Sequence, residues 1–197
     1  MKNINHPKAG SHITVQPIRE IRDIDAIKKL ISCNVRDRLL FTMGINNGLR
    51  VGDLLKIRVS DLKYVKQNEA IKITEQKTKK ENILMINKAT YKILRQYFEE
   101  LKPEDDDFLF KSRKGDNSAL TVEAVNSKIK SWCRAINLKG NYGTHSLRKT
   151  FGYIQRKIYG VSFEILCKRF NHSSPAVTMR YLGIEDKEVN GILMHEI

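Results

Sequence analysis

The pair His145 and Arg148 opens the segment GTHSLRKTFGYIQRKI. A helix turns about 100° per residue, so Leu147, Phe151, Ile154 and Ile158 cluster on one side, and His145 and Arg148 are predicted to point outward together, about 120° away. An arginine fork beside the free amides of a helix start can grip a phosphate. Taken alone, an H-x-x-R pair describes a solvated helix face or a local cap better. In NHSSPAVTMRYLGI, Asn171 is predicted to end a helix in left-handed conformation, with His172 at the turn. Ser174-Pro175 then opens a short helix, and Tyr181 lies near its end. A tyrosine, with an ordinary pKa of about 10, becomes a nucleophile when cations and a base help remove its proton. Read singly, Tyr181 is a core aromatic and His172 a hydrogen-bonded corner residue. Arg50, in GLRVGD, follows a glycine turn and can be held by Asp53 three residues on, or form an ordinary surface ion pair with it. Lys77, with Lys79 and Lys80, reads by default as a solvated charge run able to touch phosphate.

These residues need elements to position them. Ile21, Ile24, Ile27, Leu30 and Ile31 recur at helical steps between Ile18 and Ile31, and a second helix is predicted from Arg36 to Asn46, stopped at Asn47-Gly48. GLRVGDLLKIRVSDL reads as a turn and a short helix. Ile71 and Ile73 alternate with polar neighbours, Ile83 to Ile86 form a second β-prone run, and EQKTKKEN between them predicts a hairpin with a basic tip. Tyr91, Leu94, Tyr97, Phe98 and Leu101 mark a helix ended by Pro103, and Val122 to Ile136 another, capped at Thr121. Three helical pieces follow: Ser146 to Tyr159, Ser162 to Phe170 and Pro175 to about Leu182. The predicted class is mainly α with one small antiparallel β-hairpin. Residues 1–17 read as a flexible or loosely docked basic arm.

At 197 residues the chain has the length of one domain. Its 36 Lys and Arg against 22 Asp and Glu, a formal net charge of +14, turn the choice of partner toward polyanions, with nucleic acid first. A hydrophobic fraction of 41% is too apolar for a disordered basic tail. No run approaches the roughly 18 apolar residues of a membrane span, and MKNINHPKAG lacks a signal core, so a cytoplasmic, DNA-associated protein is expected. Cys33, Cys133 and Cys167 form no CxxC pair, and the five histidines form no HExxH or Cys/His ladder, so neither disulfide nor metal is expected.

The succession Arg50 in GLRVGDL, Lys77 in a hairpin, H-S-L-R at 145–148, N-H-S-S at 171–174 and T-M-R-Y at 178–181 resembles the tyrosine recombinases, the phage-integrase type, from about Ile18 to Gly183. The resemblance implies their DNA breaking-rejoining catalytic fold in residues 18–183, and a strand transferase needing no metal or cofactor. It implies Tyr181 as nucleophile, Arg50 and Arg148 on the non-bridging oxygens of the scissile phosphate, and Lys77 as donor to the departing 5′ oxygen. His145 becomes the acid/base, His172 a support of the phosphate, and Asp53 the acid that orients Arg50. Lys79, Lys80 and Lys149 are expected to contact DNA. The partner implied is double-stranded DNA, bound by a homotetramer at synapsis and by monomers in free solution. Phe170-Asn171 stands where the family has Leu-Gly, and asparagine tolerates the same turn. Seventeen residues before Ile18 cannot build the separate helical domain with which many integrases clamp DNA, so the chain reads as a stand-alone catalytic domain or a naturally short recombinase. Residues 184–197 are expected to form a tail that docks on a neighbour or on its own domain. The competing classes are a decayed DNA-binding regulator of the same fold and a type IB topoisomerase. An RNA-binding module would need stacking aromatics that the strands lack.

Overall fold

The computed structural model describes residues 14–183, together with Met194 and Glu196. Among them the chain runs α1 (Ile21–Leu30), α2 (Val35–Asn47), α3 (Val51–Leu54), α4 (Val59–Leu62), β1 (Ala70–Thr74), β2 (Glu81–Met85), α5 (Lys88–Leu101), α6 (Val122–Ala135), α7 (Thr144–Lys157), α8 (Phe163–Phe170) and α9 (Pro175–Leu182). The two strands pair antiparallel, Ile71 facing Leu84 and Ile73 facing Asn82. None of these helices is long and apolar enough to cross a membrane.

The helices begin where the sequence supplies caps. Asn34, Asn87, Thr121, Ser162 and Ser174 each accept the N–H three residues on, a contact worth about 1 kcal/mol apiece. Helices α1, α5 and α6 each bury one stripe. Helix α2 differs: it is buried on most sides, from Leu39 to Gly44 without a break, because α5 and α7 both pack on it. It stops at Gly48, whose φ is 61° and whose missing Cβ would lie 2.4 Å from the Phe151 ring.

Helix α7 serves two cores at once. Leu147 faces the main cluster around α2, approaching Gly44 so closely that a Cβ there would meet Leu147 at 2.6 Å. Its other side, through Phe151 and Gly152, packs on a smaller cluster of Leu166, Phe170 and Leu182, to which Val161, Phe163 and Tyr181 add. A Cβ at Gly152 would fall 2.7 Å from both Leu182 and Phe170, so glycine is what lets α8 and α9 seat against α7. The expected stripe ends early: Ile158 is exposed.

The expected arm is docked over its last residues. Gln16 N–H donates to the Asn141 carbonyl at 2.8 Å, Asn141 Nδ2 donates to Thr14 O at 3.3 Å, and Pro17 and Ile18 are buried. Residues 1–13 and the expected tail, apart from Met194 and Glu196, lie outside the described residues.

Candidate active site

Arg50, Lys77, His145 and Arg148 line one cleft of about 180 Å³, with Asp53, Gln76 and Thr144 in its wall. Arg50 enters as the residue that caps α3, its backbone extended by the Gly48 turn. His145 and Arg148 come from the first turns of α7, which begins two residues earlier than periodicity placed it. Lys77 is delivered by the turn between β1 and β2 and is exposed, as are Lys79 and Lys80 at the tip.

Tyr181 reaches this group from α9. Its hydroxyl lies 3.3 Å from His145 Nδ1, and its ring packs edge-on against Phe170 and against His172, whose centroid is 5.0 Å away. His172 follows Asn171, which ends α8 at φ 52° as the sequence predicted, and its Nδ1 sits 3.0 Å from Thr178 Oγ1. All six residues singled out for chemistry therefore meet in one place, though they come from five separate parts of the chain.

Three placements differ from expectation. Arg148 does not face outward: it is 2% exposed, donating to the Gly48 carbonyl at 2.5 Å and the Phe170 carbonyl at 2.7 Å, with its guanidinium stacked over the Phe170 ring. Periodicity placed it away from the main core correctly, but a second core covers that face. Lys149 is not on an outer basic face. It is 4% exposed, with its ammonium 4.9 Å from the centre of the Tyr181 ring. Asp53 does not hold Arg50: one of its oxygens accepts the Gln76 N–H at 2.9 Å, which fixes the residue before Lys77, and the other is buried without a hydrogen-bond partner among the described residues. Arg50 instead pairs with Glu75 at 2.6 Å.

Glu75 escaped the sequence reading, yet a signal was there. It continues the register of Ile71 and Ile73 onto the inward face of β1, and Asn82 does the same before Leu84 on β2. Two polar residues facing inward on paired strands demand each other: Asn82 Nδ2 donates to Glu75 Oε1 at 2.7 Å, and Thr78 Oγ1 donates to Glu75 Oε2.

The electrostatics follow from burial among cations. Burial alone would raise the Glu75 carboxyl, but Thr78, Arg50 and Asn82 together bring it down to about 2. Burial takes His172 down to about 4, helped by the charges of Arg148 and Arg50. His145 is also lowered, by partial burial and then by Arg148, Arg50, Lys149 and Lys77, although its edge stays open to solvent. Burial pushes Tyr181 up to about 12 against the opposing pull of Arg148 and Arg50. At neutral pH the cleft thus holds two fixed guanidinium groups, two neutral imidazoles and a protonated phenol.

A folded-state carboxyl depressed from its ordinary value contributes stability that is whole above about pH 4.5 and lost as pH falls toward about 2. For Glu75 this amounts to on the order of 3 kcal/mol. Urea unfolding of the wild type and Glu75→Gln should therefore show a wide gap in stability at pH 7 that narrows steadily toward pH 3. A gap independent of pH would mean that the ion pair contributes nothing through its charge.

Comparison with known proteins bears on the family and the fold. The family model described as Phage integrase family matches residues 15–188. A Bacillus subtilis (strain 168) protein named Probable integrase/recombinase YoeC is 36% identical over 175 residues, covering 87% of this chain and 91% of its own. Among solved structures, XerA recombinase superposes with a TM-score of 0.75 at 20% identity, over 96% of this chain and 68% of that one. XerH recombinase, in a post-cleavage complex on a palindromic difH substrate, gives 0.73 at 18% identity over 92% and 53%.

Proposed function

The chain belongs to the Phage integrase family, and from that premise we propose that it is a site-specific DNA strand transferase acting through a 3′-phosphotyrosyl intermediate. The observation that carries this reading is the meeting of Tyr181 with a neutral imidazole and two guanidinium groups at one cleft. A phosphate seated between Arg50 and Arg148 gathers negative charge on its non-bridging oxygens as the phenolic oxygen attacks, and fixed cations stabilise that charge most in the transition state. His145 Nδ1 takes the phenolic proton. The bond from phosphorus to the Tyr181 oxygen forms, the bond to the 5′ oxygen breaks, and Lys77 supplies the proton that lets the alkoxide leave. His172 supports the phosphate from the side of Phe170. Attack by a foreign 5′ hydroxyl reverses each step and restores the protons, so bond energy is conserved and no nucleotide cofactor enters. The substrate is double-stranded DNA, drawn to a chain of net charge +14, with Lys79 and Lys80 on its phosphates. Exchange of two duplexes takes four strand cuts, which calls for four protomers at synapsis.

The test is covalent capture from a pool of nicked duplexes with randomised cores, in which loss of a short 5′-hydroxyl fragment traps the cleaved strand. Expected is a detergent-resistant adduct whose proteolysis leaves a nucleotide on the peptide containing Tyr181. Tight DNA binding with no adduct from the whole pool would instead make the protein a DNA-binding regulator.

The pH dependence has a defined sign. The base must be neutral and its pKa lies below 6.5, so single-turnover adduct formation should hold its rate as pH falls through 6.5 and decline only below it. His145→Gln should lower the plateau and remove that acid limb. Between pH 7 and 9 its rate should rise about tenfold per unit, because Tyr181 then loses its proton to hydroxide from a pKa of about 12.

A further inference from the structure

Arg169 lies on α8, faces none of the reacting groups directly and carries no sequence signal, yet it is the most heavily bonded arginine side chain among the described residues. Its Nε and Nη2 donate to the Asn47 carbonyl at 3.1 and 2.6 Å, Nη2 also reaches the Ile83 carbonyl at 2.8 Å, and Nη1 donates to Asn82 Oδ1 at 2.7 Å. One guanidinium thus ties together the C-terminal end of α2, the second strand of the hairpin and the helix that leads to His172. Asn82 passes the connection on to Glu75, and Glu75 opens the Lys77 turn: its N–H donates to the Lys80 carbonyl and its carbonyl accepts the Lys79 N–H. Asn47 holds the far end of the same strand, exchanging two hydrogen bonds with the Met85 backbone.

This arrangement answers a mechanical need. A two-stranded hairpin is marginal by itself, and the buried residues at its tip end, Glu75 and Asn82, are polar. A planar, five-donor cation fixes such an edge, whereas an ammonium or an apolar side chain cannot. Burial makes an unpaired charge there costly, so the bonds hold one geometry.

We propose that Arg169 is a positioning residue, which through Asn82 and Glu75 sets the Lys77 turn against the segment carrying His172 and Tyr181. The proposal rests on the strand-transfer reading, in which Lys77 protonates the departing 5′ oxygen.

The experiment uses the full chain and the duplex selected by covalent capture, prepared with either oxygen or sulfur at the 5′ bridging position of the scissile phosphate. A thiolate leaves without a proton at neutral pH, so sulfur bypasses the acid. Single-turnover adduct formation at saturating DNA is measured for wild type, Lys77→Ala, Arg169→Met and Asn82→Ala. The last variant leaves Arg169 on its two carbonyls and removes the link to Glu75, together with a local contact from the Ile83 N–H, which keeps the test available if Arg169→Met does not fold. For Arg169→Met and Asn82→Ala the expected loss on the oxygen substrate is about 10- to 100-fold, with DNA affinity changed less than about threefold. The loss on the sulfur substrate should be under a third of that. Equal losses on both substrates, or no loss on either, overturn the proposal. Lys77→Ala separates its failure from that of the mechanism: if sulfur does not restore that variant, Lys77 is not the acid and both readings fall. If sulfur restores Lys77→Ala but neither Arg169→Met nor Asn82→Ala, only the positioning role falls.

Discussion

Phenylalanine at position 181 is expected to leave a folded protein that binds the selected duplex and forms no covalent adduct with it. The substitution removes one oxygen. The ring keeps its edge contacts with Phe170 and His172 and the ammonium of Lys149 above it, so the small core of α8 and α9 retains its filling. The contact with His145 Nδ1 is lost, a hydrogen bond worth about 1 kcal/mol, and the melting temperature should move by no more than about 4 °C. The rate, by contrast, should fall on the order of 10⁵- to 10⁶-fold, since among the described residues no other side chain lining the cleft has a base at a nucleophilic oxygen. Electrophoretic mobility shift and adduct formation, measured on the same sample, separate the two effects. An adduct that persists in Tyr181→Phe would place the nucleophile elsewhere and dissolve the mechanism built on this site.

What the sequence discloses and what it hides divide along a physical line. Helices that bury one stripe against one core, such as α1, α5 and α6, are written in local periodicity, and the turns at Gly48 and Asn171 are written in residue type. The six candidate site residues were legible only as a set, through the resemblance of their order and spacing to the tyrosine recombinases, since each read singly has a blander reading. Orientation was another matter. A helix wheel divides residues into those that face a core and those that do not, and α7 faces two cores. Arg148 therefore read as outward and Lys149 as a DNA contact, although both are buried, at 2% and 4% exposed. Partners were hidden for a related reason. Asp53 is near Arg50 in sequence, but the partner that Arg50 takes arrives from residue 75, through the register of a hairpin that local spacing does not encode. Arg169 is hidden further still, because the carbonyls it serves carry no side-chain signature at all.

On the proposed mechanism Arg148 both binds the phosphate and, through its burial, acts as a strut, and lysine at that position should fail on both counts. The guanidinium spans the Gly48 carbonyl, which ends α2, and the Phe170 carbonyl, which ends α8, so it joins the main core to the module carrying Tyr181. Burial lowers its pKa to about 10, yet it remains a cation at neutral pH, and the carbonyls orient its remaining donors toward the cleft. A lysine ammonium keeps the charge but is a point donor that reaches one carbonyl, not two. Leaving one buried acceptor empty costs about 1 to 3 kcal/mol, and the lost stacking over Phe170 adds to it, so the melting temperature should fall by on the order of 10 °C. Adduct formation measured at 15 °C, well inside the folded range, should still drop about 10²- to 10³-fold at saturating DNA, the scale on which one oriented donor to a developing oxyanion acts. Were Arg148→Lys to melt lower but cleave at the wild-type rate, Arg148 would be a strut alone, and the phosphate would have to be held by Arg50 without it.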